Sequence, residues 1–373
     1  MLDKQTILSS EYVIDGARMD ITPKRILENC MNPEAQPEEE LSGCIVDEVP
    51  DISPVPYVWN PGKIEEYASR TDALRRKGKF ATEFPEASTR GAIAMALIDK
   101  IWEEGHFKLD NLEVTAGWKW NPEPVGNMAA FYYSVEALGS YIDSLGIKLK
   151  KYSFDNTSGD CSLSVEANVV ENAGEIPEIF DDEFIAISGE GRALPDKMIS
   201  GSSDWVIYVP FDTCEYRIGG SLLAQSVGYK GNRPAEVSDP DYFIDCYEVI
   251  RELVEDGVAI AGVTVGRGGL ITALRNMAGR ECGLEVNIAD LEKANKDTDI
   301  IRILFSEVPG VILQIKESDY DYVDAELLLQ DVVWYPLGHP DPKHKGISIT
   351  RSESGVAGIL QSLLAGQASE GED

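Results

Sequence analysis

The sequence predicts an α+β or α/β protein of two layered units, and three observations carry that prediction. Residues Leu112–Trp120 alternate apolar and polar side chains as a half-buried strand does, and they lie between two stretches of helical periodicity. Residues Val258–Val265 form an apolar run that passes into Gly266-Arg267-Gly268-Gly269 and then into a helical stretch, the order expected of helices layered on a sheet. The length of 373 residues exceeds one ordinary core and fits two packed units of roughly 150 to 200 residues each.

In chain order, residues 1 to about 60 read as an N-terminal extension. Its stretch Asn32-Pro33-Glu34-Ala35-Gln36-Pro37-Glu38-Glu39-Glu40 is too acidic and proline-rich to bury apolar surface, and is expected to be a loop or lid. Structure is expected to restart around Val55-Pro56-Tyr57-Val58-Trp59, with a turn at Pro61-Gly62. From Ser88 to Glu104, the residues Ala92, Met95, Ala96, Ile98 and Trp102 recur at helical spacing, with Ser88 and Thr89 as capping residues. After the strand Leu112–Trp120 comes a second helix, Ala129–Leu145, closed by Gly146 as a left-handed cap. Phe184–Ser188 and Trp205–Val209 read as short buried strands. Tyr242–Glu255 is an amphipathic helix closed by Asp256-Gly257, and Leu270–Ala278 is a helix starting straight after the glycines. Gly366–Asp373 is small and acidic and reads as a disordered tail.

Composition bounds the function. The net charge of −32, from 65 acidic against 33 basic residues, repels nucleic acid and any polyphosphate that lacks a local cationic pocket. With no apolar run of about 18 residues and no basic or apolar leader at Met1-Leu2-Asp3-Lys4-Gln5, a cytoplasmic protein without a membrane partner is expected. The six cysteines form no CxxC pair and read as free thiols in a reducing compartment. His106, His339 and His344 show no spacing that suggests a nucleophile or base.

Five collinear segments bear a family resemblance. They are Arg90-Gly91-Ala92-Ile93-Ala94, Ala116-Gly117-Trp118-Lys119-Trp120, Gly219-Gly220-Ser221-Leu222-Leu223-Ala224-Gln225, Gly268-Gly269-Leu270 with Cys282-Gly283-Leu284-Glu285-Val286, and Leu304-Phe305-Ser306-Glu307 before a strand Val311–Ile315. From about Phe84 to His339 the chain resembles the second synthetase half of the phosphoribosylformylglycinamidine synthases. The resemblance implies a PurM-like, AIR synthase-related, two-subdomain architecture. On that pattern, residues 61–190 would be the N-terminal-like α/β subdomain and 191–365 the C-terminal-like α+β subdomain. It also implies a barrel shared between two such subdomains, hence a homodimer or a heterodimer with a synthase-like chain.

The chemistry the family performs, phosphorylation of a formamide oxygen by ATP and displacement by ammonia, needs Mg²⁺ held by oxygen ligands and donors around the phosphates. Several matching positions differ here. The family's glutamate and asparagine on the first long helix correspond to Met95 and Asp99. Its Gly-Lys-Asp-Ser segment is matched by Ser158-Gly159-Asp160-Cys161-Ser162, with Asp160 in the lysine's place and an insertion around Lys150 to Thr157, so that Lys150 or Lys151 is a candidate substitute. Its His-Asp-x-Ser-Asp-Gly-Gly loop is matched by Val263-Thr264-Val265-Gly266-Arg267-Gly268-Gly269. What remains are phosphate-binding candidates Arg267, Gly268, Gly269 and Ser162, and metal candidates Asp99, Asp160 and Glu307. The resulting expectation is a diverged subunit or paralogue with little or no independent catalysis and no cofactor. The alternatives are an active synthetase using Mg²⁺ with ATP or ADP at a rebuilt site, and an acidic non-catalytic interaction protein.

Overall fold

The computed structural model describes residues 4–33, 60–77, 79–170, 191–229, 233–279, 282–295 and 299–350. The expected strand Phe184–Ser188, the restart at Val55–Trp59, residues 34–40 of the acidic stretch and the tail 366–373 lie outside these residues. Short elements open the chain: helix α1 (Lys4–Ser9), a two-residue hairpin of β1 (Val13–Ile14) and β2 (Ala17–Arg18), and helix α2 (Pro23–Met31). Helix α3 (Pro61–Lys77) follows, where the sequence suggested a turn. Proline suits the first helical position because its missing N–H would be unpaired there anyway, and the Asn60 side chain accepts from the Gly62 and Lys63 N–H groups at 3.0 and 3.4 Å.

A three-stranded sheet comes next. Helix α4 (Pro85–Ile101) leads to β3 (Leu112–Trp120), helix α5 (Asn127–Ser144), β4 (Lys148–Asn156) and β5 (Ser162–Val169). The order is β4-β3-β5, with β3 parallel to β4 and antiparallel to β5. Strand β3 follows its sequence pattern, and Gly146 takes up the left-handed conformation (φ +69°) expected after α5. Helix α4 differs at its start: Pro85 opens it, and Ser88 and Thr89 lie inside it and do not cap it. Thr89 is buried and donates to the Pro85 carbonyl at 2.7 Å, a local bond that satisfies a hydroxyl within a helix. Its oxygen also lies 2.7 Å from Ser134 Oγ on α5, which accepts from Trp118 Nε1 at 3.0 Å.

Residues alternate cleanly across this sheet. Trp118, Trp120 and Phe154 turn inward and meet Phe131 of α5 with ring centroids 4.9 to 6.0 Å apart. The outer face carries Glu113, Thr115, Gly117 and Lys119 on β3, opposite Lys148, Lys151, Ser153 and Asp155 on β4 and Asn168, Glu166, Ser164 and Ser162 on β5. Lys150 sits at a register shift in β4 and pairs with Glu113 at 2.8 Å.

The rest of the chain builds a six-stranded sheet from β6 (Trp205–Pro210), β7 (Ala259–Val265), β8 (Gly283–Asn287), β9 (Gly310–Ile315), β10 (Tyr335–Asp341) and β11 (Ile347–Thr350), in the order β11-β8-β10-β6-β9-β7. Its helices are α6 (Leu222–Val227), α7 (Pro240–Glu255), α8 (Gly269–Ala278), α9 (Ala289–Asn295), α10 (Ile300–Phe305) and α11 (Tyr320–Leu329). The central strands β6 and β9 are buried on both faces, which is why they read as largely apolar runs. Ile207, Val209, Leu313 and Ile315 join the core of α4, α5 and α7, while Val206, Tyr208 and Ile312 join that of α6, α8 and α10. Ile64 and Tyr67 of α3 also belong to this second core, so α3 packs with the larger sheet.

Ser134 is fully buried and holds the Trp118 indole N–H. Ser134→Ala is therefore expected to strand that donor and to lower the unfolding free energy by about 1–3 kcal/mol in urea titrations.

Candidate functional site

The two sheets meet where the C-terminal end of α4 packs on β7, and a cleft of about 620 Å³ opens beside this seam. Trp102, just past α4, lies flat on β7 at Gly262, where a side chain would collide with the indole. Its Nε1 donates to Thr264 Oγ1 at 2.8 Å, and Thr264 donates in turn to Asp99 Oδ1 at 2.5 Å. Arg192 stacks over the same indole, 5.3 Å from the ring centroid.

Asp99 opens to the cleft, but protein atoms crowd its other sides. Burial raises its pKa first; the Thr264 hydroxyl and then Arg192 and Arg75 pull it back. The lining also includes Arg75 from α3, Arg267 from the turn after β7, and Thr272 and Asn276 of α8. Arg267 Nη2 donates to the Lys79 carbonyl at 2.6 Å. Met95, one turn before Asp99 on α4, lines the cleft beside the glycine loop.

Behind this wall sits Glu307. Its Oε1 accepts from the first N–H of α6 (Leu222, 2.8 Å) and from the N-cap N–H of α8 (Gly268, 2.9 Å). The carboxylate thus fills the anion position that two helix starts create, and an external phosphate would have to displace it. Enclosure raises the Glu307 pKa; Arg267, the two N–H groups and Arg75 partly offset the rise. Gly269 (φ +74°) is required on two counts, because a Cβ would also strike the backbone of Leu304 and Phe305 in α10.

The candidate residues thus part company. Asp99, Arg267 and Gly269 line one cleft, with Gly268 and Glu307 immediately behind. Asp160 lies in the turn between β4 and β5 and pairs with Lys79 at 3.2 Å, both side chains exposed. Ser162 is on the outer face of the three-stranded sheet, opposite Lys119, away from the cleft lining. Lys150 is engaged with Glu113 on that same face. No three His, Cys, Asp or Glu side chains among the described residues are grouped to hold a metal ion, so Asp99, Asp160 and Glu307 do not form one centre. Among the described residues Asp99 is the only carboxylate lining the cleft, and that donor set does not fit a magnesium ion bridging phosphates. Arg75 has no place in the sequence reading, which sees a turn at Pro61-Gly62 and no element in the residues that follow it, and Lys79 and Trp102 are not legible as partners because their contacts are remote in sequence. None of the three histidines lines the cleft: His339 Nδ1 meets the Asp204 carbonyl at 2.9 Å, and His344 meets Asp341 at 2.6 Å. Five described cysteines are free thiols.

A mixed sheet backed by helices and joined to a smaller sheet at a glycine-edged cleft defines a PurM-like α+β protein. The family described as "AIR synthase related protein, C-terminal domain" matches residues 204–346. Human phosphoribosylformylglycinamidine synthase is 26% identical over 258 residues, 68% of this chain and 18% of that protein. The probable chloroplastic/mitochondrial enzyme of Arabidopsis thaliana is 25% identical over 258 residues, covering 68% and 17%. Among solved structures, PurLQS from Thermotoga maritima superposes with a TM-score of 0.52 at 13% identity, over 79% of this chain and 48% of that one. The fold is PurM-like, residues 204–346 match an AIR synthase-related C-terminal domain, and the chain is similar to phosphoribosylformylglycinamidine synthases while spanning less than a fifth of the length of these curated relatives.

Glu307→Ala is expected to leave two enclosed N–H groups without an acceptor and to cost about 2–5 kcal/mol, whereas Glu307→Gln keeps an oxygen in place and costs far less. Because the folded carboxyl titrates above the usual 4.5, the native state holds its proton longer than the unfolded chain. Wild-type stability relative to Glu307→Gln should therefore fall as pH rises through that interval, in urea titrations at stepped pH.

Proposed function

We propose that this chain is a phosphoribosylformylglycinamidine synthase-like protein tied to purine biosynthesis, a diverged subunit or paralogue with little or no ATP-dependent amidination of its own. The observation that carries this reading is the cleft itself: among the described residues Asp99 is the one carboxylate in a lining that also holds Arg75 and Arg267, and Met95 stands where the family pattern has its glutamate. Phosphoryl transfer needs metal ions to neutralise charge between the phosphates, and this lining gives them one ligand. Asp160, in place of the family's lysine, is paired with Lys79 at the rim. A division near residue 190 into a 61–190 unit and a 191–365 unit fits the placement of the two sheets, with α3 crossing onto the second.

Pairing through the β4-β3-β5 sheet, with a second copy or with a synthase-like chain, is part of the same proposal. The sheet's charged and hydroxyl-bearing outer face would make the joined interior wet, held by hydrogen bonds rather than apolar packing. No helix of the described residues is long and apolar enough to cross a membrane, and the free thiols suit a cytoplasmic setting.

A second reading, an active synthetase with a rebuilt site, is favoured by the convergence of Asp99, Arg75 and Arg267 on one cleft. Thermal melting in millimolar MgATP or MgADP separates the two. A ligand at about 100 times its Kd adds about 2.7 kcal/mol to the native state. The expected result is an unchanged melting temperature; a magnesium-dependent rise lost in Asp99→Ala or Arg267→Ala would establish the active enzyme instead. Light scattering at micromolar concentration is expected to give twice the chain mass for the protein alone or, in a mixture with a synthase-like chain, the sum of the two chain masses.

A further inference from the structure

Helix α11 (Tyr320–Leu329) is apolar around most of its circumference, a pattern that belongs to buried helices. Only one side is covered: Val323 and Leu327 are buried, and Tyr320 packs between Trp205 and Trp334. The other side is open. Of seven large apolar residues that stand exposed among the described residues, four lie here: Tyr322 (46% exposed), Leu328 (70%), Leu329 (76%) and Val333 (40%). Tyr322 and Leu329 are seven residues apart and so share a stripe, while Leu328 projects about 100° further round the helix and widens the exposed apolar surface.

The surround of this strip has one sign. Residues 319–333 hold Asp319, Asp321, Asp324, Glu326 and Asp331, with no lysine or arginine. The neighbouring helix α7 adds the adjoining Asp256 and Glu252, the latter held at 3.1 Å by the buried Arg251, and these two together with Glu326 act on the Tyr322 phenol. An apolar strip bordered by carboxylates complements a segment that is apolar along one stripe and basic along its borders. It disfavours a second copy of this chain, since the same carboxylates would then face each other.

From these observations we infer that the exposed side of α11 is a docking surface for a basic, amphipathic segment of another protein. The leucines supply the area removed from water, and the flanking carboxylates set orientation and encounter rate. The surface rests on α11 and α7 alone, so it stands whether or not the cleft between the sheets binds nucleotide.

The test uses the full chain and a fluorescein-labelled peptide of about 18 residues made of leucine and lysine in helical register, long enough to form several turns. A scrambled peptide of the same composition, without the stripe, measures attraction to the overall charge of −32. By fluorescence anisotropy, the registered peptide should bind at least about tenfold more tightly than the scrambled one. Its binding should weaken between about 50 and about 300 mM salt, as screening requires. The Leu328→Ser/Leu329→Ser variant should lose about tenfold in affinity, while Val13→Ser/Val125→Ser, which alters exposed apolar residues elsewhere, should lose none. Three results would overturn the inference. One is equal binding of both peptides or no effect of the leucine variant. Another is binding that emerges only after residues 351–373 are removed, which makes the chain's own end the occupant. The last is self-association that the leucine variant abolishes, which makes a second copy the occupant.

Discussion

The oxygen of Glu307 that receives the first N–H of α6 and the N-cap N–H of α8 is the contact on which the larger half of the molecule depends. Two helices that begin at glycine-edged turns leave unpaired donors pointing at one spot, and a carboxylate from the segment before β9 closes both. Close approach of Gly269 to the backbone of α10 follows from that arrangement, as does the placement of Arg267 at the cleft wall. The glycines at 268 and 269 are thus explained by geometry before any ligand is considered. The negative charge that a phosphate would bring is already supplied from within the chain.

The sequence showed the period-2 alternation of β3, the apolar runs of β6, β7 and β9 and the glycine stop after α5, because each is a local pattern that tertiary packing reinforces. Helix α3 was not legible, since Pro61-Gly62 looks the same whether it turns the chain or opens a helix, and only Asn60 as acceptor decides it. The capping assignment at Ser88 and Thr89 failed for a related reason: a hydroxyl near a helix start can bond a carbonyl one turn back as well as an N–H ahead. At the cleft, Asp99, Arg267 and Glu307 were visible because family-like strings carry them. Arg75, Lys79 and Trp102 act through partners far along the chain, and a linear pattern holds no trace of that.

Charge is distributed with a logic that composition alone does not reveal. The cleft lining sets Arg75 and Arg267 beside Asp99, while residues 319–333 around α11 carry acids with no lysine or arginine, and α7 relieves its own glutamates through Arg251. The three-stranded sheet alternates lysines with acids and hydroxyls, so neither sign dominates there. A net charge of −32 is therefore compatible with local surfaces of quite different character.

Trp102 touches both halves of the molecule at once. Its ring rests on the bare backbone of β7 at Gly262, its N–H holds Thr264, and Thr264 holds Asp99. The seam between the sheets and the carboxylate in the cleft are therefore a single mechanical unit. One hydroxyl, Thr264 Oγ1, accepts from the indole and donates to Asp99, so both contacts share a single atom. The indole that seals the seam therefore stands two hydrogen bonds from the carboxylate that opens to the cleft.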